Sequence, residues 1–591
     1  MKKTTSPTAI QLKSLVNVAL GNEKADLAIT GGDVVNVYTG EILKGWSVAT
    51  RGEWIAYVGE DASHTIGPET KVIDAAGKTL IPGFIDGHAH VLHTHGTIDE
   101  FLKYVIKTGT TTIISEMLDF AFTVGYEGVI DFLESVADQP IKIFATAPST
   151  LANGQVDYKD IISPEQFDKL LEQDGIMGVG ESNWVPVIKG NQQLLDLFAR
   201  TLACGKKLEG HSAGARGNKL AAFAASGNSS DHESIAAQEA LDRLRLGMHV
   251  MIREGDVRHD LEAIAAIRDE GIDFRRLTLT TDGMGAGHLI EHGYMDSLVQ
   301  KAIDLGFDPV TAIQMGTLNA AEHFSLDNII GGIAPGKQAD IVVIPDPSSI
   351  KPEYVISKGQ IVAQEGKLVV EPRKHIYPES LRNTVRLPRD LVPADFAIKA
   401  DGGANAVTAR VIDLGSDIAN KSALLEMAVV NGEVKSDVDR DIIKVAAIDR
   451  IHNTGKMFVG LIRGFSLKKG AFAATASWDV SNILVVGVSE DDMAGAVNRI
   501  CQMQGGAVVF DQGRVKTEFP LPIACQLSDM PMEQISQQLE QLQREVENLG
   551  CQLPYAHLML NTLTTTIIPA IRISTDGLLD IKTDQSLDLF S

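Results

Sequence analysis

Apolar and polar positions change rhythm twice along the chain. The N-terminal stretch "MKKTTSPTAIQLKSLVNVALGNEKADLAI" carries apolar positions at helical spacing, which predicts an amphipathic helix. "ADLAITGGDVVNVYTGEILKGWSVATRGEWIAYVGE" then alternates short β-prone runs with Gly-Gly, Thr-Gly and Arg-Gly-Glu turns and predicts a small all-β unit. From Asp99 the texture becomes helix and strand in turn. Helical stretches such as "DEFLKYVIKTGT" alternate with apolar strands "TTTIIS", "IKIFATAPS", "GIMGVGES", "KKLEGHS", "HVMIREG" and "LTLTTDG", a succession that predicts a parallel barrel with helices outside. "GGIAPGKQADIVVIPDPSSIKPEYVISKGQIVAQEGKLV" returns to short strands, so it should pair with the N-terminal unit in one β-domain. The Pro- and Arg-rich stretch from Pro372 to Ala400 reads as a linker, and an α+β region follows. Its long polar helix "PMEQISQQLEQLQREVENLG" reads as solvent-facing and amphipathic.

The expected architecture is therefore α/β: a metal-dependent (β/α)8 TIM-like barrel, a flanking small β-sandwich domain and a C-terminal α+β domain. The boundaries fall at 1–80 for the N-terminal helix and part of the β-domain, 81–328 for the barrel, 329–375 for the return to the β-domain, and 376–591 for linker and C-terminal domain. A length of 591 residues agrees with several domains, since single cores stop growing well below it. The net charge of −24 argues against a nucleic-acid partner while leaving a small nucleobase open. No apolar run approaches the length of a bilayer span, and the N-terminus lacks a signal-peptide core, so a cytoplasmic protein is expected. Cys204, Cys501, Cys525 and Cys551 stand far apart and read as buried structural thiols.

The chemistry concentrates at the strand ends. "PGFIDGHAHVLHTHGTIDEF" crowds His88, His90, His93 and His95 into one short stretch after an apolar strand. Side chains alternate along a strand, so His88 and His90 face the same way, as two ligands of one metal ion must. Later strands end in Glu181, His211, His232 and Asp282. Each alone has a plainer reading: a core or surface histidine, a loop carboxylate, an N-cap. Their common position at the end of a barrel where active sites form makes them a six-ligand set suited to two divalent ions with a bridging carboxylate.

"PGFIDGHAH" followed by strand-end Glu, His, His and Asp resembles the amidohydrolase superfamily. More narrowly, "GHSAGARGNKLAAFAASGNSSDHES", "LRLGMHVMIREG", "TLNAAEHFSLDNIIGGIAPGKQADIVV" and "FVGLIRGFSLKKGAFAATAS" are similar to bacterial adenine deaminases across nearly the whole chain. That resemblance implies hydrolytic deamination of adenine to hypoxanthine and ammonia, in purine salvage, by a hydroxide between two ions. Manganese or iron is favoured, zinc is an alternative, and the protein is expected to be a homodimer. It implies His88, His90 and Asp282 on the first ion, His211 and His232 on the second, Glu181 bridging, and Asp282 as base and then acid.

The sequence also departs from the family. Val91, Leu92, His93 and Thr94 replace a segment containing Glu-Ser-Ser, and Glu116, Met117, Leu118 and Asp119 replace Asp-Pro-His-Glu. Thr281-Asp282-Gly283 replaces Thr-Asp-Asp, and Ser477-Trp478-Asp479-Val480-Ser481-Asn482 replaces a motif with two histidines. These changes leave the six-residue set intact and fall where substrate would be recognised. His93, Glu116, Asp119 and Asp479 are the candidates for contacts with substrate or a third metal, with His93 equally readable as a partner of a ligand histidine. Arg253 and Glu254 read as a structural ion-pair region, and His95 has no assigned role. Two alternatives stay open: an amidohydrolase acting on another base or cyclic amide, and a non-catalytic scaffold on the same fold.

Overall fold

The strand Phe84–His90 starts a ring of eight parallel strands in the computed structural model, which describes residues 6–149, 161–256, 258–400, 405–415, 420–475, 482–565, 571–581, 583 and 585–591. It is followed by Thr110–Ser115, Lys142–Ala147, Ile176–Asn183 and Lys207–His211, each paired in parallel with its predecessor. Ser230–Asp231, His249–Arg253 and Leu277–Thr280 form a second parallel arc. The arcs meet where Ser229 N–H donates to the Leu208 carbonyl at 2.9 Å. The ring closes where the two-residue strand Asp282–Gly283 pairs with Ala89 and His90. Near-continuous burial of these strands explains why they read as apolar runs rather than as alternating ones.

Asp86 locks the closure. Its carboxylate accepts from Thr280 Oγ1 and Thr281 Oγ1, both at 2.6 Å, and more weakly from His88 N–H at 3.3 Å. The first and last strands are thus pinned together beside both ends of the ligand set, a role for Asp86 that sequence reasoning missed.

The N-terminal strands and those at 341–368 share one nine-stranded sheet, in which Ile341–Ile344 runs antiparallel to Thr79–Pro82. Lys142, on a barrel strand, places its ammonium 2.8 and 2.7 Å from the two oxygens of Asp340 and ties sheet to barrel with a buried, doubly bonded pair. The predicted N-terminal helix is present at Ala9–Ala19, capped reciprocally by Thr8 and Gln11.

The C-terminal region is built on a ten-stranded sheet running from Ile398–Lys399 to Arg514–Pro520, with the helix Glu490–Met503 burying Ala494, Val497 and Ile500 against it. The helix Met532–Asn548 buries Met532, Ile535, Leu542 and Val546. It packs on the barrel helix Ala286–His292 as well as on its own sheet, so it is not simply solvent-facing. Barrel and C-terminal region are further joined by Ser528 N–H, which donates to the His95 carbonyl at 2.8 Å, and by the Tyr104–Glu533 hydrogen bond. Cys525 and Cys551 are buried, but Cys204 is exposed and Cys501 only half-buried, which corrects the reading of four buried thiols. No helix among the described residues is long and apolar enough to cross a membrane.

Candidate metal centre and substrate cavity

The six strand-end residues converge. His88, His90, Glu181 and Asp282 present ligand atoms within 4.8 Å of one another, as do Glu181, His211 and His232. Glu181 belongs to both groups through one oxygen: Oε1 is 3.2 Å from His88 Nε2, 3.2 Å from His90 Nε2 and 3.3 Å from His232 Nε2. Asp282 Oδ1 is 3.5 Å from both His88 Nε2 and His90 Nε2. His211 Nδ1 lies 3.2 Å from His232 Nε2. His88 Nε2 is buried and finds no well-formed hydrogen bond although two carboxylate oxygens surround it. Nitrogen and carboxylate oxygen atoms gathered this closely could share a bound cation, and the imidazole–carboxylate set fits divalent metals.

Glu116 and Asp119 stand beside the histidines of the centre. Glu116 Oε1 is 3.5 Å from His88 Nδ1, and Asp119 Oδ2 is 3.8 Å from His90 Nδ1. Both are buried, at distances from the ring nitrogens that suit carboxylates orienting the imidazoles. Register brings Glu116 there: the strand Thr110–Ser115 runs beside the His-x-His strand, and Glu116 N–H donates to the Ala89 carbonyl at 2.8 Å. Gly180 keeps the space, since a Cβ at that position would lie 2.0 Å from Glu116 Oε2. His90, His93 and Asp119 also cluster. His90 also offers a ligand atom, Nε2, to the His88, Glu181 and Asp282 group, so this cluster adjoins the first one through a shared histidine. Asp119→Asn and Glu116→Gln should each weaken metal binding by about 10- to 100-fold while the protein stays folded. Metal titration of the stripped variants checks this, and unchanged affinity would remove the orienting role.

Glu233, next to His232, is the residue most clearly missed by sequence reasoning. Its Oε1 is 3.5 Å from His232 Nε2 and 3.6 Å from His211 Nδ1, and it pairs with Arg253. Burial opposes its ionisation, but Arg253 holds its carboxyl down at about 2. Arg253 also lies 2.9 Å from Asp260 and 3.4 Å from Asp282 Oδ2, so one buried guanidinium braces both halves of the centre. Against burial, His88 and Arg253 keep Asp282 far below the usual carboxylate range. Its backbone lies in the left-handed region at φ 60°, a conformation uncommon outside glycine and concentrated at functional sites. Glu254 turns away to Lys301 and His259 and takes no part.

Beside the metal centre lies a cavity of about 500 Å³. Its barrel wall includes His93, His95, Asp256 and Met284, and its far wall comes from Gln526, the helix Met532–Asn548 and the segment 554–561. His93 connects the two spaces, stacking on His90 at 4.8 Å between ring centres and 10° between planes. Asp256 is fixed by the Gly285 N–H at 2.7 Å and by His288 Nδ1 at 2.8 Å. Asp479 and Trp478 lie outside the described residues.

Known proteins resemble the chain along its whole length. Residues 79–369 match the model of the amidohydrolase family, and residues 417–585 match that of the adenine deaminase C-terminal domain. The adenine deaminase of Moorella thermoacetica is 37% identical over 597 residues, covering 100% of both chains. That of a Ruegeria species is 38% identical and covers 96% of this chain and 95% of its own. A solved β-aspartyl dipeptidase from Fervidobacterium islandicum AW-1 aligns over 58% of this chain and 98% of its own, at a TM-score of 0.47 and 18% identity.

Proposed function

Because the chain belongs to the adenine deaminases of the amidohydrolase family, we propose that it hydrolyses adenine to hypoxanthine and ammonia in the cavity beside the six-residue centre. The observation that carries this reading is the single Glu181 oxygen shared among His88, His90 and His232, in a centre joined to that cavity through His93, which stacks on His90. His88, His90 and Asp282 would hold a first divalent ion, His211 and His232 would hold a second, and Glu181 would contribute to both. Manganese or iron is the proposed occupant. Such a pair lowers the pKa of a water molecule toward neutrality and so supplies a nucleophile.

The chain's own groups do the rest. Asp282 takes the proton that the water sheds as its oxygen attacks C6 of adenine, and then delivers it to the departing amine, which leaves as ammonia. Arg253, 3.4 Å from Asp282 Oδ2, keeps the carboxylate ionised and aimed until the proton arrives. Glu116 and Asp119 fix the rings of His88 and His90. The helix Met532–Asn548 and the segment 554–561 wall the cavity and reduce the water that reaches the reacting carbon. The reaction is placed in the cytoplasm, where free cysteines stay reduced.

The test is ammonia release from adenine by protein loaded with manganese, set against the same protein stripped with chelator. Turnover that disappears on stripping and returns on reloading is the expected result. A loaded protein that leaves adenine intact while hydrolysing another base or a cyclic amide would replace this reading.

Metal loading should also displace protons. Burial alone would lower His88 and His90, yet Asp282, Glu116 and Glu181 around the first, and Glu181 and Asp119 around the second, raise both well above the usual histidine range. A raised pKa means that the metal-free site still holds protons at neutral pH, so affinity must fall as pH falls. Titrations of stripped protein from about pH 8 to about pH 6 should show weakening affinity, with proton release visible as a buffer-dependent calorimetric heat. Affinity independent of pH would contradict this charge assignment.

A further inference from the structure

The turn after the first barrel strand ends at His95, whose backbone lies in the left-handed region at φ 58°. That conformation is uncommon outside glycine and recurs at functional sites. Two bonds from the C-terminal region hold it there. Ser528 N–H donates to the His95 carbonyl at 2.8 Å, and His95 Nδ1 lies 2.9 Å from the Gln526 carbonyl oxygen. A carbonyl oxygen only accepts, so Nδ1 carries the hydrogen. Burial pushes the imidazole below its ordinary range, which leaves the ring neutral and Nε2 a bare lone pair. His95 lines the cavity and faces His557 with 5.6 Å between ring centres.

We propose that His95 reads the imidazole edge of the purine, its Nε2 accepting the hydrogen of a ring N–H. The assignment rests on the adenine reading and deepens it. The recognised ligand is a free purine base with an unsubstituted imidazole nitrogen. A purine substituted at N9 has no N–H on its imidazole ring and leaves Nε2 facing either the substituent carbon or the N7 lone pair, an unmade hydrogen bond of the kind that polar sites discriminate against strongly. His95 is thus a specificity residue whose tautomer is set from outside the barrel by the Gln526 carbonyl.

Two substitutions separate its two nitrogens. Asn at this position, His95→Asn, can still donate to the Gln526 carbonyl but has no acceptor where Nε2 stood. His95→Gln can carry an amide oxygen to the Nε2 position. Steady-state turnover of adenine and calorimetric binding of hypoxanthine are measured on the metal-loaded full chain, with metal content and melting temperature as controls. His95→Asn is expected to raise KM for adenine and Kd for hypoxanthine by about 10- to 100-fold, with kcat and metal content little changed. His95→Gln should recover part of the loss, and the parent protein should bind adenine well and 9-methyladenine poorly.

Hypoxanthine binding by His95→Asn as tight as by the parent overturns the assignment. So does equal binding of adenine and 9-methyladenine by the parent, a comparison that needs no variant to fold. A parent that binds hypoxanthine through His95 but releases no ammonia from adenine overturns the proposed reaction alone.

Discussion

Asp282→Asn is expected to yield a folded protein whose turnover of adenine falls by about four orders of magnitude. The substitution is isosteric, so the Asp282–Gly283 strand should keep its pairing with Ala89 and His90. What disappears is the ionised oxygen facing both His88 Nε2 and His90 Nε2 at 3.5 Å, together with the group that receives and returns the proton. An amide cannot take that proton, and it leaves Arg253 without one of its carboxylate partners. Ammonia release, metal content and melting temperature separate the possibilities. The expected pattern is a nearly unchanged melting temperature, partial metal retention and a collapsed kcat. A loss below about tenfold would show that the proton travels by another group.

Glu181→Ala should affect the centre itself. Its Oε1 is within 3.3 Å of three histidine nitrogens, so removing it withdraws negative charge from both groups at once. Metal content is expected to fall from about two ions per chain to about one or fewer, and activity by at least about three orders of magnitude. Elemental analysis after gel filtration measures the first and ammonia release the second. Two tightly held ions in this variant would rule out a shared carboxylate. Glu181→Asp is the informative companion, because a shorter acid restores charge without restoring reach.

The positions of the six central residues were legible because they depend on simple periodicities. His88 and His90 share a face by strand alternation, and Glu181, His211, His232 and Asp282 end strands whose apolar runs are plain in the chain. What surrounds them was not legible, because it depends on register and on side-chain reach. Glu116 and Asp119 carry the right chemistry for substrate contacts, and only strand pairing shows that they also lie against the rings of His88 and His90. Glu233 follows His232 directly and so looks like a loop acid. Only the fold shows Arg253 drawing it to the second pair. Asp86 sits inside the recognisable motif, yet its partners Thr280 and Thr281 lie almost two hundred residues away. The long polar helix at 532–548 advertises an exposed face, and its Gln and Glu residues do not say that the exposure is to a cavity.

The cavity's two walls come from distant parts of the chain, and ribosomal synthesis delivers them in sequence. The last barrel helix ends at His323, whereas the wall segment runs to Asn561. At about 5–20 residues per second, the chain between them takes roughly 10 to 50 s to emerge. For that interval the nascent chain holds a complete set of strand-end histidines and acids at an uncovered barrel mouth. His95 has no Gln526 carbonyl to orient it. Metal capture can therefore precede substrate selectivity during the birth of each molecule, and a ribosome stalled in the C-terminal region would leave a metal-binding barrel that cannot yet choose its base.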